Sequence, residues 1–392
     1  MRLLIVSTVS STVKAFLLPF ADHFRSLGWQ VDALASGIER CDACLAHFDR
    51  VYDIEWSRHP LDYRNVTRAL LRVRDLVGHG EYDIVHVHTP VAAFITRLAL
   101  GRRRRATGPS VIYTAHGFHF HPGNSWLRNR VFTALEKIAS RRTDYLVTMN
   151  RTDEGAALRL GLVPPGRLCF MPGIGVDRHR FRPSAVPPAE LEALRRLLGI
   201  GDDNPVFTMI AEFIPRKRHR DVVAALSRLQ HENVHVVFVG DGPLRKPIGR
   251  LVANSGLAGR VHFAGLQADV RSFILMSRAT ILPSTQEGLP RSVLESLSCG
   301  VPVIGSDIRG TQDLLGDGGG MLYPAGDIGA LASLIEWFTD HPEKVAAMGG
   351  RAVACMDQYD TARIVSLHEE LYASAMNLRV PPAEAIVPRR NN

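Results

Sequence analysis

Lysine is scarce in this 392-residue chain: five residues, at positions 14, 137, 217, 246 and 344, among 47 basic ones. The remaining positive charge is arginine, so each lysine is an exception that asks for a reason. No stretch approaches the ~20 consecutive apolar residues of a membrane span, which argues against an integral membrane protein. The five cysteines are scattered, and the opening MRLLIVSTVS reads as a first strand instead of a secretory signal. Reduced thiols in a cytoplasmic protein are the expectation. Cys41 and Cys44, with His47 three further on, have the spacing of half a zinc site. A second pair is missing, and closed structural sites take four ligands, so IERCDACLAHF reads instead as one face of a helix. No repeat of solenoid length is present.

What the chain does contain is ordinary globular material, 46% hydrophobic and 22% charged, in a length that accommodates two domains. The formal net charge of +8 suits anionic ligands or an acidic membrane surface; nucleic acid is not among the expected partners. Short apolar runs alternate with helical patterns from end to end. Candidate strands are 3–6, 31–35, 84–87, 111–115, 145–148 and 168–171, then 206–211, 234–240, 261–265, 279–282 and 302–305. Helical patterns fill the gaps, as at 16–27 and 126–139. Continuous hydrophobicity without strict alternation predicts strands buried on both faces, hence parallel α/β sheets. Residues 172–190 hold four prolines and two glycines and read as the connection between two doubly wound halves. The expected domains are 1–180 and 181–375, the last helical pattern (361–376) packing on either half, with a frayed tail at 376–392. Such a pair would place a ligand cleft at the carboxyl ends of the strands.

The chemistry concentrates in ATILPSTQEGLPRSVLESLSCGVPVIGS, residues 279–306. Strand, loop, helix and strand follow in order, with Pro290 where a first helical residue belongs and Gly300 where a stop belongs. In this apolar window stand Glu287, Arg291 and Glu295, and carboxylates in such surroundings are costly without partners. Side chains lean toward a helix N-terminus, so both glutamates can converge on a ligand there. The N–H groups around Gly288, Leu289, Arg291 and Ser292, with the helix dipole, suit a diphosphate, and Pro290 contributes none. A surface loop before a helix with a solvated glutamate is the plain alternative. Arg216, Lys217 and Arg218 follow a predicted strand directly, and the compact ammonium of Lys217 is a good point charge for a phosphate oxygen, unless the loop is merely solvated. Gly240-Asp241-Gly242-Pro243 is a turn that either approaches a ligand or is generic. His116 and Gly117 lie just past another strand; His119 and His121 follow at a spacing that suits either a metal or structural histidines.

Taken together, HVHTPVAAFITRLA, VIYTAHGFHF, PGIGVDRHRF, IPRKRH, VGDGPL, FAG and EGLPRSVLESLSCGVPVIGSD resemble the retaining GT-B glycosyltransferases of family four, above all the bacterial capsule and exopolysaccharide branch. The resemblance covers residues 1 to about 375. It implies two Rossmann-like domains, the first for the acceptor and the second for a nucleotide-sugar. It implies that Glu287 binds donor-sugar hydroxyls, Glu295 the ribose, Gly288 to Arg291 the sugar and diphosphate, and Lys217 the leaving diphosphate. His116 approaches the donor sugar; Arg216 and Gly242 join the donor site; Ser10, His88 and Gly117 line the acceptor side. No metal or other cofactor is implied. The donor is expected to be a UDP-linked hexose or N-acetylhexosamine, and the acceptor a glycan or a saccharide on polyprenyl diphosphate. The run Arg102–Arg105 offers a peripheral contact with the inner membrane face, or a solvated helix end. One departure stands out: the family carries arginine five residues before the lysine, where this chain has Glu212, leaving Arg216 or Arg218 to supply the charge. Small polar residues, Ser7, Thr8, Ser10 and Ser11, replace the double glycine many relatives have in the first loop. A non-catalytic partner of an assembly complex and a GT-B sugar-nucleotide epimerase are the rival readings.

Overall fold

The computed structural model describes residues 1–56, 68–101, 108–121 and 123–377. The chain divides into two compact units: Met1–Ile174 together with the chain from Ile364 onward, and Gly175–Arg363. The division falls at 174/175, six residues before the boundary read from the sequence, and the last helix belongs to the first unit.

The first unit is a seven-stranded sheet of β1 (Arg2–Val9), β2 (Gln30–Ser36), β3 (Arg50–Asp53), β4 (Ile84–His88), β5 (Ser110–Ala115), β6 (Tyr145–Thr148) and β7 (Leu168–Phe170). Their spatial order is β3-β2-β1-β4-β5-β6-β7, with every pairing parallel. Continuous hydrophobicity follows from this. Leu3 and Ile5 of β1 enter the core on one face, while Leu4 and Val6 enter the core on the other. Each fully buried aliphatic side chain contributes about 1.5–3 kcal/mol, so a strand with two buried faces gains from every residue. The closing Thr361–Asn377 helix seals the first of these cores with Ile364, Val365, Leu371, Tyr372 and Ala375.

The second unit repeats the arrangement with six strands: β8 (Val206–Ile210), β9 (His235–Val239), β10 (Val261–Gly265), β11 (Ala279–Leu282), β12 (Val303–Ser306) and β13 (Gly320–Tyr323). The order is β10-β9-β8-β11-β12-β13, again all parallel. In both sheets the direction of winding reverses once, between β1 and β4 and between β8 and β11. At such a switch point neighbouring loops diverge at the strands' carboxyl ends and leave room for a ligand.

Two strands escaped the sequence reading, β3 (RVYD) and β13 (GMLY), both short edge strands. The helical pattern at 16–27 is two helices, Ser10–Phe16 and Leu18–Ser26, because Pro19 starts a new first turn. IERCDACLAHF is likewise a 3-10 turn, Ile38–Arg40, followed by a helix, Asp42–His47.

Candidate active site

The switch point of the second unit brings together the loops after β8 and β11. Beyond β8 the chain makes a short turn at Pro215–Lys217, and Arg218 takes a left-handed φ of 54° before the His219–Leu226 helix begins. The loop after β11 is tied to this turn by Thr285 N–H, which donates to the carbonyl of Arg216 at 2.9 Å. Lys217 Nζ then lies 2.6 Å from Glu287 Oε1. Glu287 is 9% exposed and the lysine side chain 12%, so the pair is largely withdrawn from water. Arg216 stands further out, 3.5 Å from the same carboxylate, and donates to the carbonyl of Gln286 at 3.0 Å. The three residues picked from separate stretches of sequence, Arg216, Lys217 and Glu287, thus form one cluster.

Glu295 sits in the Arg291–Ser298 helix, 7% exposed, with Arg291 Nε donating to its Oε1 at 2.8 Å. Burial raises its carboxyl above the usual range, and the Arg291 guanidinium opposes that shift. The sequence suggested Pro290 as the first helical residue; it is instead the residue before the helix, and its extended backbone (ψ 119°) turns the chain into it. Gly288, Leu289 and Pro290 therefore lie at the helix entrance, and the carbonyl of Pro290 accepts from Val293 N–H at 3.1 Å and Leu294 N–H at 3.3 Å. A third loop holds them: Arg309 Nε donates to the carbonyl of Glu287 at 3.2 Å. Gly310 (φ 82°) passes so close that a Cβ there would lie 2.1 Å from the carbonyl oxygen of Gly288. Arg309 and Gly310 follow β12 in a stretch, SDIRGTQD, whose composition is that of any turn, and the sequence reading missed them.

The surroundings bear on the departures noted above. Glu212 is exposed, so its charge is solvated. Arg218 is engaged by both carboxylate oxygens of Asp221, at 3.0 Å for Nη2–Oδ1. Gly242 (φ 149°) makes a close approach, but to protein: a Cβ would lie 2.8 Å from the amide nitrogen of Phe213. Phe213 N–H donates to Asp241 O and Leu244 N–H to Phe213 O, both at 2.9 Å, so the turn braces the loop that carries Lys217.

In the first unit, the buried His86, His88, His368 and Tyr372 and the half-buried His116 form one layer. His88, the last residue of β4, places Nδ1 3.1 Å from Nε2 of His116, just past β5. His86 and His88 have ring centroids 4.2 Å apart. His86 bonds Tyr372 Oη through Nδ1 (2.6 Å) and Thr114 Oγ1 through Nε2 (2.8 Å). Burial, and then the neighbouring His368, pushes His116 down to about 4; His86 and His88 fall well below their ordinary value for the same primary reason. The layer is therefore neutral imidazole at physiological pH. Thr89 follows His88 with φ 66°, a strained choice for a β-branched residue, and its Oγ1 accepts from Thr8 N–H at 3.0 Å. Ser10 opens the helix after β1, and Gly117 (φ 131°) turns the chain beyond His116.

His119 packs edge-on against Phe132, and His121 N–H donates to Asn129 Oδ1. His47 Nδ1 is 2.7 Å from Asp22 Oδ1. Among the described residues no cluster of three or more His, Cys, Asp or Glu is arranged to hold a metal ion. Arg102–Arg105 lie outside the described residues, and no described helix is long and apolar enough to cross a membrane.

Comparison with known proteins completes the picture. The family described as Glycosyl transferases group 1 matches residues 191–353, and the Glycosyl transferase 4-like domain matches residues 12–173. EpsD of Bacillus subtilis (strain 168), which bears a glycosyltransferase name, is 34% identical over 96% of this chain and 97% of its own. The UDP-Gal:alpha-D-GlcNAc-diphosphoundecaprenol alpha-1,3-galactosyltransferase of Escherichia coli is 28% identical over 70% of each chain. Anabaena HepE, solved in complex with UDP and glucose, superposes with a TM-score of 0.78 at 20% identity, over 95% of this chain and 100% of that one. With two Rossmann-like parallel sheets and near full-length similarity to such a relative, the chain belongs to the group 1 glycosyltransferases of GT-B fold.

Proposed function

We propose that the protein is a retaining transferase that moves a hexose or N-acetylhexosamine from a UDP-linked donor to a saccharide carried on polyprenyl diphosphate, in bacterial surface polysaccharide synthesis. The observation that carries this reading is the buried Lys217–Glu287 pair at the β8/β11 switch point, one helical element away from Glu295. Glu287 holds the sugar hydroxyls and Glu295 the ribose. The leaving diphosphate is met by Lys217, by Arg216 and by the amides at Gly288–Arg291. These are preorganised charges where negative charge develops, and the reading takes no metal. Of the two arginines offered in place of the residue at Glu212, Arg216 fits the role, since Arg218 is engaged by Asp221.

In the proposed step the anomeric C–O bond to the diphosphate breaks, and the acceptor oxygen bonds to the same face of the sugar. The acceptor's hydroxyl proton passes to the departing phosphate oxygen. His116, half-buried and held neutral by desolvation, supports the sugar as a hydrogen-bonding group and carries no charge into the step. The lipid-linked acceptor and the UDP donor draw support from what the names and titles of the relatives say of those proteins. Enzyme working on such an acceptor belongs in the cytoplasm, with peripheral contact at the inner membrane face.

A thermal-shift screen against UDP, GDP and ADP, followed by a donor hydrolysis assay, tests the reading, since a ligand of the native state raises its stability. UDP is expected to give the largest shift, hydrolysis to persist in EDTA, and the product to keep the donor's anomeric configuration by NMR. An inverted product or strict metal dependence would overturn it.

A further inference from the structure

The described residues hold an apolar cavity of about 540 Å³ that the reaction described above does not use. Its walls are Val91 and Phe94 of the Pro90–Leu100 helix, Phe118 and Phe120 of the loop after β5, and Val131 and Phe132 of the Trp126–Ser140 helix. The volume is that of a small-molecule site. Glu136 in its lining is satisfied from behind the wall by the fully buried Arg97: Arg97 Nη1 lies 2.6 Å from Glu136 Oε1, Nε donates to Ala93 O at 3.0 Å, and the guanidinium sits 4.1 Å from the Tyr113 ring centroid. Apart from Tyr113, His119, Arg128 and Glu136 the wall offers a saccharide's hydroxyls no side-chain partner, whereas a hydrocarbon chain suits its aromatic and aliphatic surface.

The helix over the cavity buries only Ala139 and Ser140. It exposes Trp126 (69%), Leu127 (64%) and Val131 (47%), and its first turn has no acidic residue. Arg128 lines the cavity, and the Arg130 guanidinium lies 4.8 Å from the Trp126 ring centroid. Arginine beside exposed aromatic and aliphatic side chains is the make-up of a segment at an anionic lipid interface. The cavity also adjoins the histidine layer through the chain: Phe118 is two residues from His116, and Pro90 two from His88. A chain held here would be tethered beside the residue proposed to support the sugar.

We infer that this cavity holds the hydrocarbon chain of the lipid-linked acceptor, with Arg128 and Arg130 facing its phosphates. The inference rests on the lipid-linked acceptor reading above. Its test is photo-crosslinking of the full-length enzyme with a polyprenyl diphosphate that carries a diazirine on the chain, the labelled residues being mapped by mass spectrometry. Label is expected within 90–95, 118–120 or 131–135. It should fall at least 10-fold in Val131→Asp, at an exposed position that tolerates the change, and stay unchanged in Leu158→Asp, an exposed apolar residue on the Arg151–Leu160 helix. The thermal shift with UDP should be equal in all three proteins, which reports folding independently. Label mapped elsewhere, label insensitive to Val131→Asp, or label fully displaced by phosphatidylglycerol vesicles without polyprenyl lipid would each overturn the inference. Capture elsewhere on the protein sinks the cavity alone. No capture at all, with transfer to a water-soluble saccharide intact, sinks the lipid-linked acceptor while the donor reading stands.

Discussion

Lys217 Nζ and Glu287 Oε1 stand 2.6 Å apart, both largely buried, and each belongs to a different loop of the switch point. On the proposed reading, a phosphate oxygen that engages Lys217 would share it with this carboxylate, so recognition of sugar and diphosphate would be coupled through one contact. Removing Lys217 leaves the largely buried Glu287 with only its longer 3.5 Å contact to Arg216, at a cost toward the low end of the ~3–5 kcal/mol of a broken buried pair. Lys217→Ala should therefore lower both Tm and kcat/KM, the latter by at least ~10²-fold, on the scale of losing one donor to a developing oxyanion. In Lys217→Ala/Glu287→Gln the melting temperature should recover and the activity should not. Recovery of both would show that the lysine acts only on folding.

Glu295 gives a pH signature. Its folded-state carboxyl is raised by burial, so the native state binds the proton more readily than the unfolded chain does. The stabilisation this provides is present at low pH and is lost as pH rises through the folded-state value. Glu295→Gln removes the charge that burial penalises, so its Tm relative to the parent should climb as pH rises from 4 to 7. Donor affinity should drop by about 10-fold, roughly one hydrogen bond to a charged group. A Tm difference that narrows with rising pH would contradict the assignment.

Arg216 and Arg218 separate by their partners. Arg216→Ala should weaken UDP binding by about 5–30-fold, measured by calorimetry, as expected for the ~1–2 kcal/mol of one partly exposed charged hydrogen bond. Arg218→Ala should leave UDP affinity within about 2-fold, because its guanidinium is occupied by Asp221.

The buried histidines predict acid sensitivity. His86, His88, His116 and His368 all have depressed values, so the unfolded chain takes up protons that the folded one refuses. The stability these histidines contribute should be full above about pH 6.5, the unfolded value, and fall as pH drops toward 4. His368→Gln, which removes one of these groups, should flatten that slope in a Tm-versus-pH series. Tyr372→Phe removes the partner of His86 Nδ1 and should lower kcat more than it changes KM.

Much of this molecule was legible in its sequence, and the gaps have physical causes. Eleven strands were read from continuous apolar runs, because parallel strands bury both faces. β3 and β13 are edge strands with half-buried residues, and RVYD and GMLY carry no such run. That Glu287, Glu295 and Lys217 are unusual charges in this chain was legible because charge in an apolar window, and lysine in an arginine-rich chain, are both anomalies; the structure finds all three largely withdrawn from water. Which cation meets which carboxylate was not recoverable, since Lys217 and Glu287 are seventy residues apart and pair only through the order of β8 and β11. Arg309 and the Thr8–Thr89 contact were hidden for the same reason. The 361–377 helix was visible as a helix, but its apolar face alone did not say which sheet it would cover.

That helix has a consequence for how the protein is made. The first unit is assembled from two pieces of chain with Gly175–Arg363 between them, while the second is continuous. As the polypeptide leaves the ribosome, the β1–β7 sheet emerges early but waits for Tyr372 and its neighbours to close one face and complete the bond to His86. The later-born unit can finish first. The histidine layer would then be among the last parts of the first unit to become dry, which makes the 361–377 helix the step that commits that unit to its folded form.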